Sequence, residues 1–180
     1  MASPHFSLFD TPIGSCGLVW NDHGLIGVLL PETSTTATRT RVKRRYPNAT
    51  EAAPSPQVQA TIARIEGLLR GASDDLLDIE LDMSAVPDFN RSVYEIARRI
   101  RPGATLTYGE IAVELGDVHI ARAVGKALGE NPFPIIVPCH RVLGAGGKAG
   151  GFSANGGTRT KLRLLEIEGA PLGGSPGLFD

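Results

Sequence analysis

The sequence predicts a two-part chain: an α/β unit over residues 1–85, then a mostly α-helical unit over residues 86–172 built around a helix-turn-helix, with a loose tail at 173–180. Three observations carry the prediction. Short apolar runs broken by turn residues fill the first part. Apolar residues recurring every three or four positions dominate the second. Two short helical patterns in the second part are separated by only a few residues, which is how a helix-turn-helix reads.

Phe6 to Phe9, Gly17 to Trp20 and Leu25 to Leu30 read as strands, punctuated by Thr11-Pro12, Asn21-Asp22 and Gly24. Arg39 to Tyr46 reads as a helix, and its cations Arg39, Arg41, Lys43, Arg44 and Arg45 read as a solvated face. Beyond Pro54 and Pro56, Val58 to Leu69 is a helix ended at Gly71. Leu77, Ile79, Leu81 and Met83 alternate with Asp78, Glu80 and Asp82, the pattern of a half-buried outer strand with its acids in water.

The second part opens at Pro87-Asp88. Phe89, Val93, Ile96, Ala97 and Ile100 share a helix face that ends at Pro102-Gly103. Thr107-Tyr108-Gly109-Glu110 is a capping-box pattern opening a short helix through Ile111, Ala112 and Leu115, closed at Gly116. A second helix follows from about His119 to Leu128. The last, from about Thr160 to Glu168, carries Leu162, Leu164, Leu165 and Ile167. Between them, Asn131 to Gly157 is rich in Pro and Gly, and a loop that long in a compact domain often marks function.

The 180 residues are 42% hydrophobic and 21% charged, ordinary for a globular chain. A formal net charge of -1 supplies no global basic field, so any nucleic-acid contact must rest on local charge. No apolar run is long enough to cross a bilayer, and the N-terminus lacks a signal pattern, so a cytoplasmic protein without a membrane partner is expected. Cys16 and Cys139 are then expected as free thiols. His5, Cys16 and His23 show no paired ligand spacing, so no metal site is expected.

On the helix from His119, Ile120, Val124 and Leu128 should face the core, with Arg122 and Lys126 together on another face. Around them lie only Ala121, Ala123, Gly125, Ala127 and Gly129. A helix reading major-groove bases carries long polar side chains; a bare face lets the backbone come close, which suits the narrow minor groove. From His119 to Arg163 seven Lys and Arg residues face one acid, Glu130, so a local basic surface exists. A small-residue helix packed tightly against another helix explains the pattern equally well.

The decisive segment is Pro138-Cys139-His140-Arg141-Val142. A lone Cys is usually a small buried hydrophobe. Here it lies in a loop between Pro and His with cations nearby, a setting that favours the nucleophilic thiolate. Adjacent side chains rarely point the same way, so a bridging water is the simpler relay between Cys139 and His140. Glu168 falls on the apolar side of its helix and at its C-terminus, where a carboxylate opposes the helix dipole. His140 is its natural partner; fraying into solvent beside Gly169 is the plainer alternative.

At these residues the chain resembles the O6-alkylguanine-DNA alkyltransferases, also called methylated-DNA–protein-cysteine methyltransferases. The resemblance runs over roughly residues 87 to 169, through Thr107 to Ala112, Ala121 to Gly125, Asn131-Pro132, Pro138 to Val142, and Leu164-Leu165 with Glu168. It is looser in the first part, through Thr11 to Gly14 and Gly24-Leu25. The resemblance implies a ribonuclease-H-like sheet without nuclease chemistry, followed by a winged helix-turn-helix-like domain. It implies that Cys139 accepts an alkyl group irreversibly from O6 of guanine, with His140 as base through water, Glu168 orienting His140, and Asn131 bracing the active-site turn. Tyr108 would donate to N3 of the departing guanine, Arg122 would fill the stack when the base flips out, and Val142 and Ser153 would contact the flipped base. Ala121, Ala123, Gly125 and Lys126 would lie along double-stranded DNA at the minor groove. The implied protein is a monomer that needs no cofactor.

Two departures stand out. Where the family has Tyr, a small residue and Gly-Gly, this chain has Phe152-Ser153-Ala154-Asn155-Gly156-Gly157, two residues longer and without the hydroxyl. The zinc ligands that some members carry in the first domain are missing. Other readings compete: a DNA-binding sensor of alkyl damage without transfer chemistry, against which Cys139 itself argues; a multiple-turnover cysteine hydrolase, which needs no bare helix; and a plain helix-turn-helix regulator, which lacks base-reading side chains.

Overall fold

The computed structural model describes residues 3–148 and 157–171. Strands β1 (His5–Thr11), β2 (Gly14–Asn21) and β3 (Gly24–Leu29) form an antiparallel meander. A two-residue strand β4 (Thr50–Glu51) adds parallel to β1, giving the order β3-β2-β1-β4. The period-2 alternation of β2 sends Cys16, Leu18 and Trp20 into the main core and Val19 into a smaller core on the other face.

Helix α1 (Thr35–Arg45), capped by Ser34, covers that smaller core with Val42. Tyr46, at its end, donates its hydroxyl to the Ile26 carbonyl at 3.2 Å. Gly27 makes this possible: a Cβ there would lie 2.1 Å from the Tyr46 hydroxyl oxygen. On the opposite face, α2 (Pro56–Leu69) buries Val58, Ile62, Ile65, Leu68 and Leu69. Its N-terminus has Ser55 as cap and Pro56 in the first turn, where a missing N–H costs nothing.

The strand expected over Leu77 to Met83 does not form. This stretch meets the sheet through one parallel bridge, between Leu25 and Leu81. Arg64 of α2 gathers the carboxylates of Asp74 and Asp78, each at 2.8 Å. Asp74 also accepts the Leu76 N–H, and Leu76 turns into the left-handed region at φ 55. Arg98 then takes the carbonyls of Leu76, Leu77 and Ile79. Pairing with Leu25 is left to the Glu80 carbonyl and the Asp82 N–H alone. Leu76 turns inward at 1% exposure and Leu77 outward at 45%.

Helix α3 (Asp88–Arg98) buries Val93, Tyr94, Ile96 and Ala97, whereas Phe89, expected on the same face, is 39% exposed in its first turn. Strand β5 (Leu106–Thr107) leads directly into α4 (Tyr108–Glu114), and both halves of the expected capping box, Thr107 and Glu110, are made. Gly116, at φ +98, ends α4 in a conformation closed to most side chains. A 3₁₀ turn over Val118–Ile120 precedes α5 (Ala121–Gly129), so the regular helix starts two residues later than the sequence suggested. Val124 and Leu128 are buried as expected; Ile120 is half-buried against the core.

Within the long Pro- and Gly-rich stretch, a 3₁₀ turn spans Cys139–Arg141 and runs into β6 (Val142–Leu143), which pairs parallel with β5. Helix α6 (Thr158–Ile167) packs against that turn. The main core is continuous across the chain, from Phe9 of β1 to Leu164 of α6. Among the described residues, no helix is long and apolar enough to cross a membrane. The tail at 173–180 lies outside the described residues.

Candidate active site and DNA-binding helix

The pairing of β5 with β6 places Thr107 beside Leu143, which brings the first residue of α4, Tyr108, toward the Cys139 turn. Helix α6 brings Lys161 and Glu168 to the same place. Cys139 is 7% exposed and His140 1%. The His140 Nε2 lies 3.0 Å from a Glu168 carboxylate oxygen, so the expected pair forms. Glu168 does not fray: its side chain is 4% exposed.

Arg141 is the residue that sequence reasoning did not place. It is 1% exposed and binds Glu168 in a two-pronged contact, Nε to Oε1 at 2.9 Å and Nη2 to Oε2 at 2.7 Å. Its remaining amine donates to the Ile100 carbonyl at 2.6 Å. Burial would raise the Glu168 carboxyl, but the hydrogen bonds from Arg141 and His140 outweigh it and hold it down at about 2. His140 is pushed below its ordinary 6.5, chiefly by burial; Glu168 opposes that shift, and Arg141 and Lys161 add to it.

A neutral His140 facing a carboxylate must put its proton on Nε2, because an ionised carboxylate only accepts. Nδ1 then carries the lone pair. That nitrogen is buried and has no protein partner among the described residues. It can act as a base toward a neighbouring group.

The thiol of Cys139 departs from the expectation of a ready thiolate. Burial raises it above its ordinary value, and the Asn131 side chain and the Lys161 ammonium act against that rise. At neutral pH the sulfur therefore holds its proton and needs a base. Asn131 bonds both sides of the turn. Its amide donates to the Val137 carbonyl and its oxygen accepts the Phe133 N–H, each at 2.8 Å. Val137 in turn accepts the Cys139 N–H at 2.7 Å.

Lys161 is the second residue the sequence left unassigned. It is 1% exposed, and its ammonium donates to the Tyr108 hydroxyl at 3.3 Å. An ammonium has no acceptor, so the Tyr108 proton is free to point elsewhere. Burial keeps that phenol protonated by raising its pKa. A period of three or four from Leu164 and Leu165 was the one available signal for Lys161, a cation on the apolar side of α6.

On α5, Arg122, Ala123 and Lys126 are exposed, while Ala121 and Gly125 are half-buried. Gly125 faces the Tyr108 ring, which a Cβ would meet at 3.8 Å, an ordinary contact. So α5 packs against Tyr108 on one side and presents its cations to solvent on the other. Val142 is buried, and its N–H is engaged by the Cys139 carbonyl. Ser153 and the loop from Phe152 to Gly156 lie outside the described residues. Among the described residues, no cluster of His, Cys, Asp and Glu could hold a metal.

A cavity of about 50 Å³ opens at Cys139, with Val28, Leu30, Leu128 and Pro134 among its walls. A larger cleft of about 1180 Å³, bordered by Asp82, Asn90 and Glu130, reaches none of Cys139, His140, Tyr108 or Lys161. Its size therefore says nothing about the chemistry.

Fold and site define a protein with a buried cysteine in a tight turn beside a buried His–Glu–Arg cluster, next to a small-residue helix that carries exposed cations. Comparison with known proteins names the family. Residues 88–170 match the family model of the 6-O-methylguanine DNA methyltransferase, DNA binding domain. The chain is 34% identical over 163 residues to a methylated-DNA–protein-cysteine methyltransferase of Methanothermobacter thermautotrophicus, covering 91% of this chain and 84% of that one. It is 36% identical over 177 residues to that of Mycobacterium tuberculosis, covering 98% and 99%. A crystal structure of Mycobacterium tuberculosis OGT in complex with DNA superposes with a TM-score of 0.74 at 35% identity, covering 93% of this chain and 95% of that one. The chain belongs to the methylated-DNA–protein-cysteine methyltransferase family.

Proposed function

We propose that this protein repairs DNA by moving one alkyl group from O6 of guanine to Cys139, once per molecule. The observation that carries the reading is the buried cluster of His140, Glu168 and Arg141 directly beside the buried Cys139. The Cys139 proton passes through a water to Nδ1 of His140, whose other nitrogen stays bonded to Glu168. The sulfur attacks the alkyl carbon; the S–C bond forms as the C–O6 bond breaks, and the electron pair leaves with the guanine. Tyr108 donates its proton to N3 of that departing base, and the Lys161 ammonium, already bonded to the Tyr108 oxygen, stabilises the phenolate that results. The thioether is a poor leaving group, and no second nucleophile stands at the site among the described residues, so Cys139 is not regenerated.

The target base must leave the stack to reach a sulfur this deeply buried. We assign Arg122 to the gap it leaves, and Ala121, Ala123, Gly125 and Lys126 to the minor groove of double-stranded DNA. Because the Val142 N–H is engaged, a base contact there falls to its carbonyl; the Ser153 contact is kept as part of the proposal. On this reading the sheet order β3-β2-β1-β4 is the ribonuclease-H-like unit, residues 86–172 are the catalytic domain, α4 and α5 are its helix-turn-helix, and β5 with β6 is the wing. The protein acts as a cytoplasmic monomer without a cofactor.

The test is intact-protein mass after incubation with duplex DNA containing O6-methylguanine. One methyl group is gained, it maps to Cys139, and excess substrate produces no further turnover. Methylation elsewhere, or continued turnover, would sink the reading. Cys139→Ala gains nothing while still binding the duplex.

A further inference from the structure

Two residues of α3 reach across to the far end of α5. Tyr94 has no exposed surface, and its hydroxyl donates to the Ala127 carbonyl at 2.6 Å. Asn90, one turn earlier, donates to the Glu130 carboxylate at 3.0 Å and to the Tyr94 oxygen at 3.4 Å. The Ala127 carbonyl belongs to the last turn of α5, where its backbone partner is the i+3 N–H of Glu130 at 3.2 Å instead of an i+4 N–H. Tyr94 thus closes the helix end from a neighbouring element. Burial pushes its phenol up to about 12, so it remains a donor throughout the working range of the protein.

The reactive loop begins directly after this helix end. The Glu130 N–H returns to the carbonyls of Lys126 and Ala127, and the Asn131 N–H to that of Leu128. Asn131 then clamps Phe133 and Val137, and Val137 holds the Cys139 N–H. Inside the clamp, Ile135 is buried with φ 79, a left-handed conformation that a β-branched residue adopts only under constraint. Such strain costs on the order of 1–3 kcal/mol and persists only where the surroundings over-determine it.

We propose that Tyr94 and Asn90 are positioning residues for Cys139, fixing the α5 terminus that carries Asn131 and thereby the strained loop that presents the sulfur. The inference rests on the reading of Cys139 as the acceptor. The route is contiguous: α3 hydroxyl, α5 carbonyl, Asn131 amide, Val137 carbonyl, Cys139 backbone. Neither Tyr94 nor Asn90 touches the reacting atoms. Their effect should fall on the rate of transfer and leave DNA binding alone.

Tyr94→Phe keeps the ring and removes only the donor. Single-turnover transfer from an O6-methylguanine duplex at saturating protein should slow about tenfold, the scale of a small misplacement of a reacting group. The dissociation constant for the same duplex should stay within about twofold. In an Asn131→Ala background, Tyr94→Phe should add little further loss, because residues acting through one network are not additive. A separate arm measures the rate at which iodoacetamide labels Cys139 without DNA, which should fall in Tyr94→Phe as well. That arm still reads positioning if the wild type proves unable to accept a methyl group, an outcome that overturns the proposed function instead. An unchanged transfer rate in Tyr94→Phe, a parallel loss of DNA affinity, or full additivity with Asn131→Ala would each overturn the positioning role.

Discussion

Arg141 decides what His140 can do. With both prongs of its guanidinium on Glu168, the carboxylate is already neutralised, and burial keeps the imidazole uncharged. Removing the guanidinium leaves a buried carboxylate without its cation, a change that typically costs about 3–5 kcal/mol. Arg141→Met should lower stability by that order in chemical denaturation. Glu168→Gln acts on the other side. Glu168 raises the His140 pKa by hydrogen bond and charge, so its neutral replacement should push that pKa still lower. The acid limb of the alkylation rate then moves to lower pH while the plateau falls, because the base is weaker and less well held. Lys161→Met removes the ammonium that opposes the burial of the Cys139 thiol, so the thiol pKa should rise further. The pH dependence of Cys139 labelling measures that directly.

At the scale of elements, α5 offers a test with opposite signs for fold and for function. Its Gly125 leaves room for a methyl group at ordinary contact distance from Tyr108. Gly125→Ala should therefore be neutral or stabilising, by up to about 1 kcal/mol from helix propensity. If the bare face lies against the minor groove, the same methyl group should weaken duplex binding. Equal duplex affinity in a stably folded Gly125→Ala would place the DNA elsewhere. Arg122→Ala, on the exposed face, should slow repair of duplex DNA more than transfer from a free alkylguanine. The helical pattern of α5 was legible because Val124 and Leu128 repeat at a spacing of four. Its 3₁₀ entry was not, because Asp117 caps the His119 N–H locally and tightens the turn before Ala121.

For the whole molecule, the buried site couples stability to pH. His140 is held neutral with a pKa below 6.5, so as pH falls the unfolded chain takes up that proton first and stability declines. Glu168 adds a second stage. Its carboxyl titrates near 4.5 when free and about 2 in the fold, so its contribution is complete above about 4.5 and is lost as pH falls toward 2. Melting temperature should therefore drop in two steps on acidification, and Glu168→Gln should remove the lower one. A melting profile for Glu168→Gln that parallels the parent below pH 4.5 would show that other carboxylates dominate acid unfolding.

The sequence by itself determined the periodic elements and the capping box at Thr107 and Glu110, and it offered His140 as the partner of Glu168 while leaving fraying open. Each is written in local spacing or in a charge set on an apolar face. Local spacing misled over Leu77 to Met83, where alternation promised a strand. Arg98, distant in sequence, took the Leu77 and Ile79 carbonyls that a strand would have offered to a neighbour. The contacts of Arg141, Lys161 and Tyr94 were decided only in the tertiary structure. Arg141 read as one more member of a basic surface until it proved buried against Glu168. Lys161 read the same way until α6 turned it onto Tyr108. The charge state of Cys139 was decided there too: nearby cations in sequence suggested a thiolate, but desolvation grows with the protein packed around an atom, and that packing exists only once the chain has folded.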